Sequence, residues 1–88
     1  MNTQIIWQPD AFDHMNAIVQ AAPNRKADFA AALRELSDAL TSAPESTGES
    51  REPPYRVAIF GELTFYFRPA PDENRVYVIW VRIWKARH

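Results

Sequence analysis

The residues best equipped for chemistry gather toward the end of the sequence. Arg56, Arg68 and Arg82 alternate with Tyr66, Trp80 and Trp84, and Lys85 and Arg87 follow. Guanidinium forks bind phosphates, and aromatic rings stack on unpaired bases. The same residue types also dominate protein interfaces. The constellation therefore reads either as a nucleic-acid or target-binding surface of Arg56, Tyr66, Arg68, Arg82, Lys85 and Arg87, or as a docking face anchored by Trp80 and Trp84. Other chemistries lack their parts. Gly48 and Gly61 are the only glycines and neither opens a helix, so there is no phosphate-cradling loop. Without cysteine there is no disulfide, thiolate zinc site or thiol nucleophile, as suits a reducing cytoplasm. His14 and His88 stand apart, and Asp10 and Asp13 read as helix-start charges rather than paired catalytic carboxylates. No metal or cofactor is expected.

Charge divides the chain unevenly. Residues 1–50 hold three basic and seven acidic side chains, residues 51–88 seven basic and four acidic, so a net charge of −1 hides halves of −4 and +3. A positive half can meet nucleic acid or an acidic protein, yet dedicated nucleic-acid binders are usually basic overall. Hydrophobic residues at 47% and charged residues at 24% describe a folded chain rather than a disordered one. Eighty-eight residues suffice for one domain. The longest apolar run, Val76 to Val81, falls far short of the ~20 residues that cross a bilayer, and no leader pattern opens the chain, so no membrane partner is expected.

These side chains must be placed by secondary structure. Gln4 to Trp7 reads as a short strand. Pro9 suits the first turn of a helix whose apolar stripe is Phe12, Met15, Val19 and Ala22, widened by Ile18. Pro23 ends it, and Asn24 is placed to cap a second helix, with Phe29, Leu33, Leu36 and Leu40 on one face. The short connection implies an antiparallel hairpin. Residues 43–54 read as an exposed, mobile loop. Three strands follow: Tyr55 to Phe60, Glu62 to Arg68 and Arg75 to Trp84, with a tight turn at Gly61 and a longer one from Pro69 to Asn74.

Alternation assigns faces to the strands. One parity collects Tyr55, Val57, Ile59, Leu63, Phe65, Phe67, Tyr77, Ile79, Val81 and Ile83 and should meet the helices. The other collects Arg56, Ala58, Phe60, Glu62, Thr64, Tyr66, Arg68, Val76, Val78, Trp80, Arg82 and Trp84. The expected architecture is α+β: a short N-terminal strand, a helix hairpin, then a three-stranded antiparallel sheet.

This order of elements resembles the RelE/ParE superfamily of type II toxin–antitoxin toxins. Tyr55-Arg56-Val57-Ala58-Ile59, Gly61 and Leu63-Thr64-Phe65-Tyr66-Phe67 look like the family's central hairpin. Val76 to Lys85 looks like its last strand, and Ile6-Trp7-Gln8-Pro9 with Ala11 like its opening strand and first helix start. The resemblance implies a cytoplasmic growth inhibitor neutralised by a cognate antitoxin. RelE-like members cut mRNA on the ribosome without metal. ParE-like members inhibit DNA gyrase and are not nucleases. The nuclease pattern is incomplete here. Arg56 stands where RelE-type members carry a lysine, Ala58 replaces a second lysine, and Leu63 replaces an arginine. Lys85 and Arg87 bracket a further arginine position, and the distal tyrosine has no counterpart. The ParE-like or a degenerate mode is therefore favoured over the endonuclease. A non-toxic interaction module is the reading from another class, and a homodimer is compatible with all three.

Overall fold

The computed structural model describes residues 3–83. Trp84, Lys85 and Arg87 of the candidate set lie outside the described residues. In chain order the elements are β1 (Gln4–Trp7), α1 (Pro9–Ala21), a 3-10 turn (Pro23–Arg25), α2 (Lys26–Ser42), β2 (Glu49–Ser50), β3 (Arg56–Phe60), β4 (Leu63–Ala70), a second 3-10 turn (Pro71–Glu73) and β5 (Arg75–Ile83). The strands form one five-stranded sheet in the order β1-β5-β4-β3-β2. β1 runs parallel to β5, and every other pair is antiparallel. The α+β class expected from the sequence is the one adopted, with two more strands in the sheet than the three first counted: β1 joins one edge and β2 the other.

Both helices cover one side of the sheet, α1 against β5 and α2 between β1 and β3. Pro9 takes the first helical position of α1, where its missing N–H costs nothing, and Asp10 adds a favourable charge to the first turn. The buried side chains of α1 are Ala11 and Met15, while Phe12 is 58% exposed, against the stripe expected of it. The small Ala11 lets the helix start close to the sheet, and Phe12 falls on the rim. In α2, Phe29, Ala32, Leu36 and Leu40 are buried, close to the expected face. Asn24 does not cap α2. It lies inside the 3-10 turn, and Arg25 precedes the helix without a side-chain cap. Arg25 reaches across instead, pairing with Glu62 in the β3–β4 turn and with Asp28. Hydrogen bonding to Glu62 raises the pKa of this guanidinium.

The core unites Ala58 of β3, Leu63, Phe65 and Phe67 of β4, and Val76, Val78 and Val81 of β5 with the helix residues. Ile5 and Trp7 of β1 pack against it. This overturns part of the expected face assignment. In β3 it is Ala58, with Phe60 half-buried, that faces the helices, while Ile59 is 49% exposed. The cause lies in the hairpin turn. Phe60 pairs with Leu63, so Gly61 and Glu62 form a two-residue turn, and Gly61 adopts a φ of 59° that glycine tolerates best. Counting back from that turn puts Ala58 beside Phe65 and Arg56 beside Phe67.

In β5 the parity changes midway. Tyr66 pairs with Trp80 but Phe67 pairs with Val78, so Ile79 is the extra residue of a bulge. Val76 and Val78 face the core before it and Val81 after it. Tyr77 is thereby turned to the outer face with Trp80 and Arg82.

Residues 43–54, read as an exposed, mobile loop, are mostly exposed but are tied to the fold at several points. Glu49 and Ser50 pair with Val57 and Arg56. The Thr47 hydroxyl donates to the carbonyls of Ala43 (2.7 Å) and Ala39 (3.3 Å), closing the last turn of α2. Gly48 crosses the start of β3 at a φ of 68°.

Candidate functional site

The sheet face away from the helices carries the candidate residues that the structure brings together. Register places Val57 and Ile59 of β3, Thr64, Tyr66 and Arg68 of β4, and Tyr77, Trp80 and Arg82 of β5 on it. Tyr55, just before β3, completes a column of rings across the strands. Tyr55 stacks on Tyr66 with centroids 5.3 Å apart and planes 8° from parallel. Tyr66 stacks on Trp80 at 5.0 Å and 4°. The Tyr66 ring thus has an aromatic neighbour on each side, and such stacks contribute about 0.5–1.5 kcal/mol per pair beyond simple burial.

Two guanidiniums border the column. Arg82 lies over Trp80 at 4.5 Å from the ring centroid, and Arg68 over Tyr77 at 4.7 Å. The Tyr77 hydroxyl donates a hydrogen bond to Glu73, and Glu73 also pairs with Arg75 at 3.9 Å. Hydrogen bonding with Tyr77, and then the nearby Glu73 charge, raises the Arg75 pKa. A depression of about 380 Å³ beside the column is lined by Tyr55, Arg68, Ile79, Gln8, Pro9 and Asp10.

Of the predicted site residues, Tyr66, Arg68, Trp80 and Arg82 share this face. Arg56 does not. It lies on the helix side at the sheet margin, where its Nε donates to the Thr47 carbonyl at 2.8 Å and its Nη2 to the Gly48 carbonyl at 2.9 Å. A guanidinium so engaged clasps the 43–54 segment to β3 rather than offering itself to a phosphate. Sequence reasoning missed Tyr55 and Tyr77, which it had placed against the helices. The two-residue turn was the available signal for Tyr55. Nothing in a period-two pattern announces the bulge that exposes Tyr77.

The clasp is testable. Arg56→Ala is expected to lower folding stability by about 1–3 kcal/mol, because a part-buried carbonyl and an exposed one lose charge-assisted donors. Arg56→Lys should recover less than half, since a single ammonium cannot span both carbonyls in the same fork. Urea denaturation checks this. Full stability with lost activity would instead return Arg56 to the functional surface.

A second feature lies on the other side. An apolar groove of about 630 Å³ runs between α1 and α2, with Ile5 and Trp7 on its floor and Phe12, Val19 and Leu33 along its walls. Among the described residues no cluster of histidine and carboxylates has metal-binding geometry, and no helix is long and apolar enough to cross a membrane.

No protein-family model matches the sequence, and no curated protein sequence matches it significantly. Solved structures do match. A chain of the chromosomal ParDE TA system from P. aeruginosa superposes with a TM-score of 0.73 at 14% identity, covering 94% of this chain and 97% of that one. A chain of the toxin–antitoxin complex RelBE2 from Mycobacterium tuberculosis superposes with a TM-score of 0.68 at 13% identity, covering 94% and 92%. The likeness spans nearly the whole of all three chains, so this protein has the RelE/ParE-type fold that its order of elements resembled.

Proposed function

We propose that this chain is the toxin of a type II toxin–antitoxin pair, a growth inhibitor neutralised by a cognate antitoxin. The observation that carries the reading is the fold shared end to end with chains of two such systems. Within it, the mode is non-nucleolytic, either ParE-like inhibition of DNA gyrase or a degenerate relative of it. The positions where the nuclease pattern requires basic side chains support this. Ala58 and Leu63 are buried in the core, and Arg56 is engaged with backbone carbonyls. Their outward neighbours Val57, Ile59 and Thr64 carry no charge either. RNA cleavage through the 2′-hydroxyl needs a positioned proton acceptor and a charge stabiliser at the phosphate, and the side chains at these positions supply neither. Target binding then falls to the outer face, with Tyr66, Arg68, Trp80 and Arg82.

Tightly controlled induction of the protein alone in a bacterial culture tests the reading. Growth arrest is expected, with rescue by co-expression of the small gene encoded beside it. Purified protein should inhibit supercoiling by DNA gyrase, and primer extension on cellular mRNA should show no codon-positioned cuts. Such cuts would establish the ribosome-dependent endonuclease instead. Normal growth with abundant folded protein would leave a non-toxic interaction module.

A further inference from the structure

We propose that the outer face of the sheet docks an extended acidic segment of a partner protein, with two carboxylates on one face of that segment held by Arg68 and Arg82. The inference deepens the target-face reading above by naming the chemistry that the face recognises.

The two guanidiniums are held in place but, among the described residues, lack a counter-ion. Arg25, Arg51 and Arg75 each pair with a carboxylate within the fold. Among the described residues, Arg68 and Arg82 pair with none, and Asp10, which lines the depression beside Arg68, forms no ion pair with it. Stacking on Tyr77 and Trp80 restrains each guanidinium. An arginine restrained in this way loses less freedom on binding, and its planar fork matches a carboxylate in two-point contact.

Spacing selects the form of the partner. Tyr77 lies opposite Arg68 and Trp80 opposite Tyr66, two residues apart on β4. Arg82 itself lies opposite Thr64, so the backbones of the two arginines are four β4 residues, or roughly 13 Å at ~3.3 Å per residue, apart along the strands. Every second side chain of an extended chain points the same way, so residues i and i+4 span that distance on one face. Acids at i and i+4 of an extended segment therefore fit without bending.

The composition of the face favours protein over nucleic acid. Stacking of a base needs an open ring, and Tyr66 at the centre of the column is covered on both sides. Beside the column lie Val57 and Ile59, the latter 49% exposed, which aliphatic or aromatic side chains of a polypeptide can cover.

Fluorescence anisotropy with the full chain provides the test. The probe is a short labelled peptide with glutamates at alternate positions and leucine between them. Its glutamine counterpart and a labelled single-stranded RNA are the comparisons. The glutamate peptide should bind, with the glutamine peptide about tenfold weaker or worse. Arg68→Ala and Arg82→Ala should each weaken binding about tenfold, at unchanged circular dichroism and Tm. Lysine at either position should not restore it, because an ammonium does not reproduce the fork. Binding of the glutamate peptide that survives both alanine substitutions overturns the proposal, as does RNA binding tighter than the peptide with a steep salt dependence. Growth arrest by a chain that ignores the peptide would sink the docking inference and leave the toxin reading intact. Peptide binding by a chain that does not arrest growth would do the opposite.

Discussion

Phe65→Ala is expected to remove about 3–5 kcal/mol of folding stability. Phe65 is fully buried at the middle of β4. Its ring meets Trp7 edge-on, with centroids 6.3 Å apart and planes at 88°, and meets Phe60 at a tilt, also at 6.3 Å. It therefore joins the edge strand β1 to β3 on the opposite side of β4 through one side chain. A chain of this size holds roughly 4–13 kcal/mol in total, so the substitution consumes much of its margin. Ile59→Ala, on the outer face, should cost less than about 1 kcal/mol because half of that side chain is already in water. Urea denaturation of the two variants reads the sheet faces directly. Equal losses would mean that the inner and outer assignments of β3 and β4 are wrong.

Gly48→Ala should be nearly as damaging, at more than about 2 kcal/mol, for a different reason. Gly48 has a φ of 68°, and a Cβ there would sit 2.1 Å from the Val57 carbonyl oxygen and 2.8 Å from the Ala58 Cβ. Neither neighbour is the end of a flexible side chain, so β2 and β3 must separate. Gly61 is the control. Its φ of 59° is equally left-handed, but an added Cβ meets only Ala32 at 3.5 Å, an ordinary contact. Gly61→Ala should thus cost only the left-handed backbone penalty, about 1–2 kcal/mol. Thermal unfolding should place the Gly48 variant lower, by roughly 10 °C or more below the parent. Indistinguishable Tm values for the two glycine variants would refute the steric argument.

The elements of this fold were legible where one signal dominated. The spacing of Phe29, Leu36 and Leu40 marks α2, and Pro9 marks the start of α1. The alternation of Leu63, Phe65 and Phe67 locates the inner face of β4. Faces elsewhere were misread because parity is relative. It needs an origin, and the turn supplies it: taking Gly61 alone as the turn shifts β3 by one residue and reverses every side chain in it. At Ile79 the origin itself moves, and no composition marks the bulge. β2 was invisible because Glu49 and Ser50 carry no strand preference and pair only through the tether that Arg56 and Gly48 provide. Arg56 was assigned to the binding surface on its charge. A guanidinium beside unpaired carbonyls satisfies them as readily as it would a ligand, and only coordinates distinguish the two uses. In the candidate site, the placement legible from the sequence was therefore that of its middle, Tyr66, Arg68, Trp80 and Arg82, where β4 and the second half of β5 keep their expected phase.

The parallel pairing of β1 with β5 has a consequence for how the protein comes into being. Gln4 lies beside Arg75 and Trp7 beside Val78, so the first strand waits for nearly the whole chain before it acquires a neighbour. β5 is also the strand on which α1 rests. During vectorial synthesis the amino-terminal half consequently has no sheet to fold upon, and long-range closure must follow completion of the last strand. The outer face, with Trp80 and Arg82 of β5 on it, is thus assembled only after the last strand has been made.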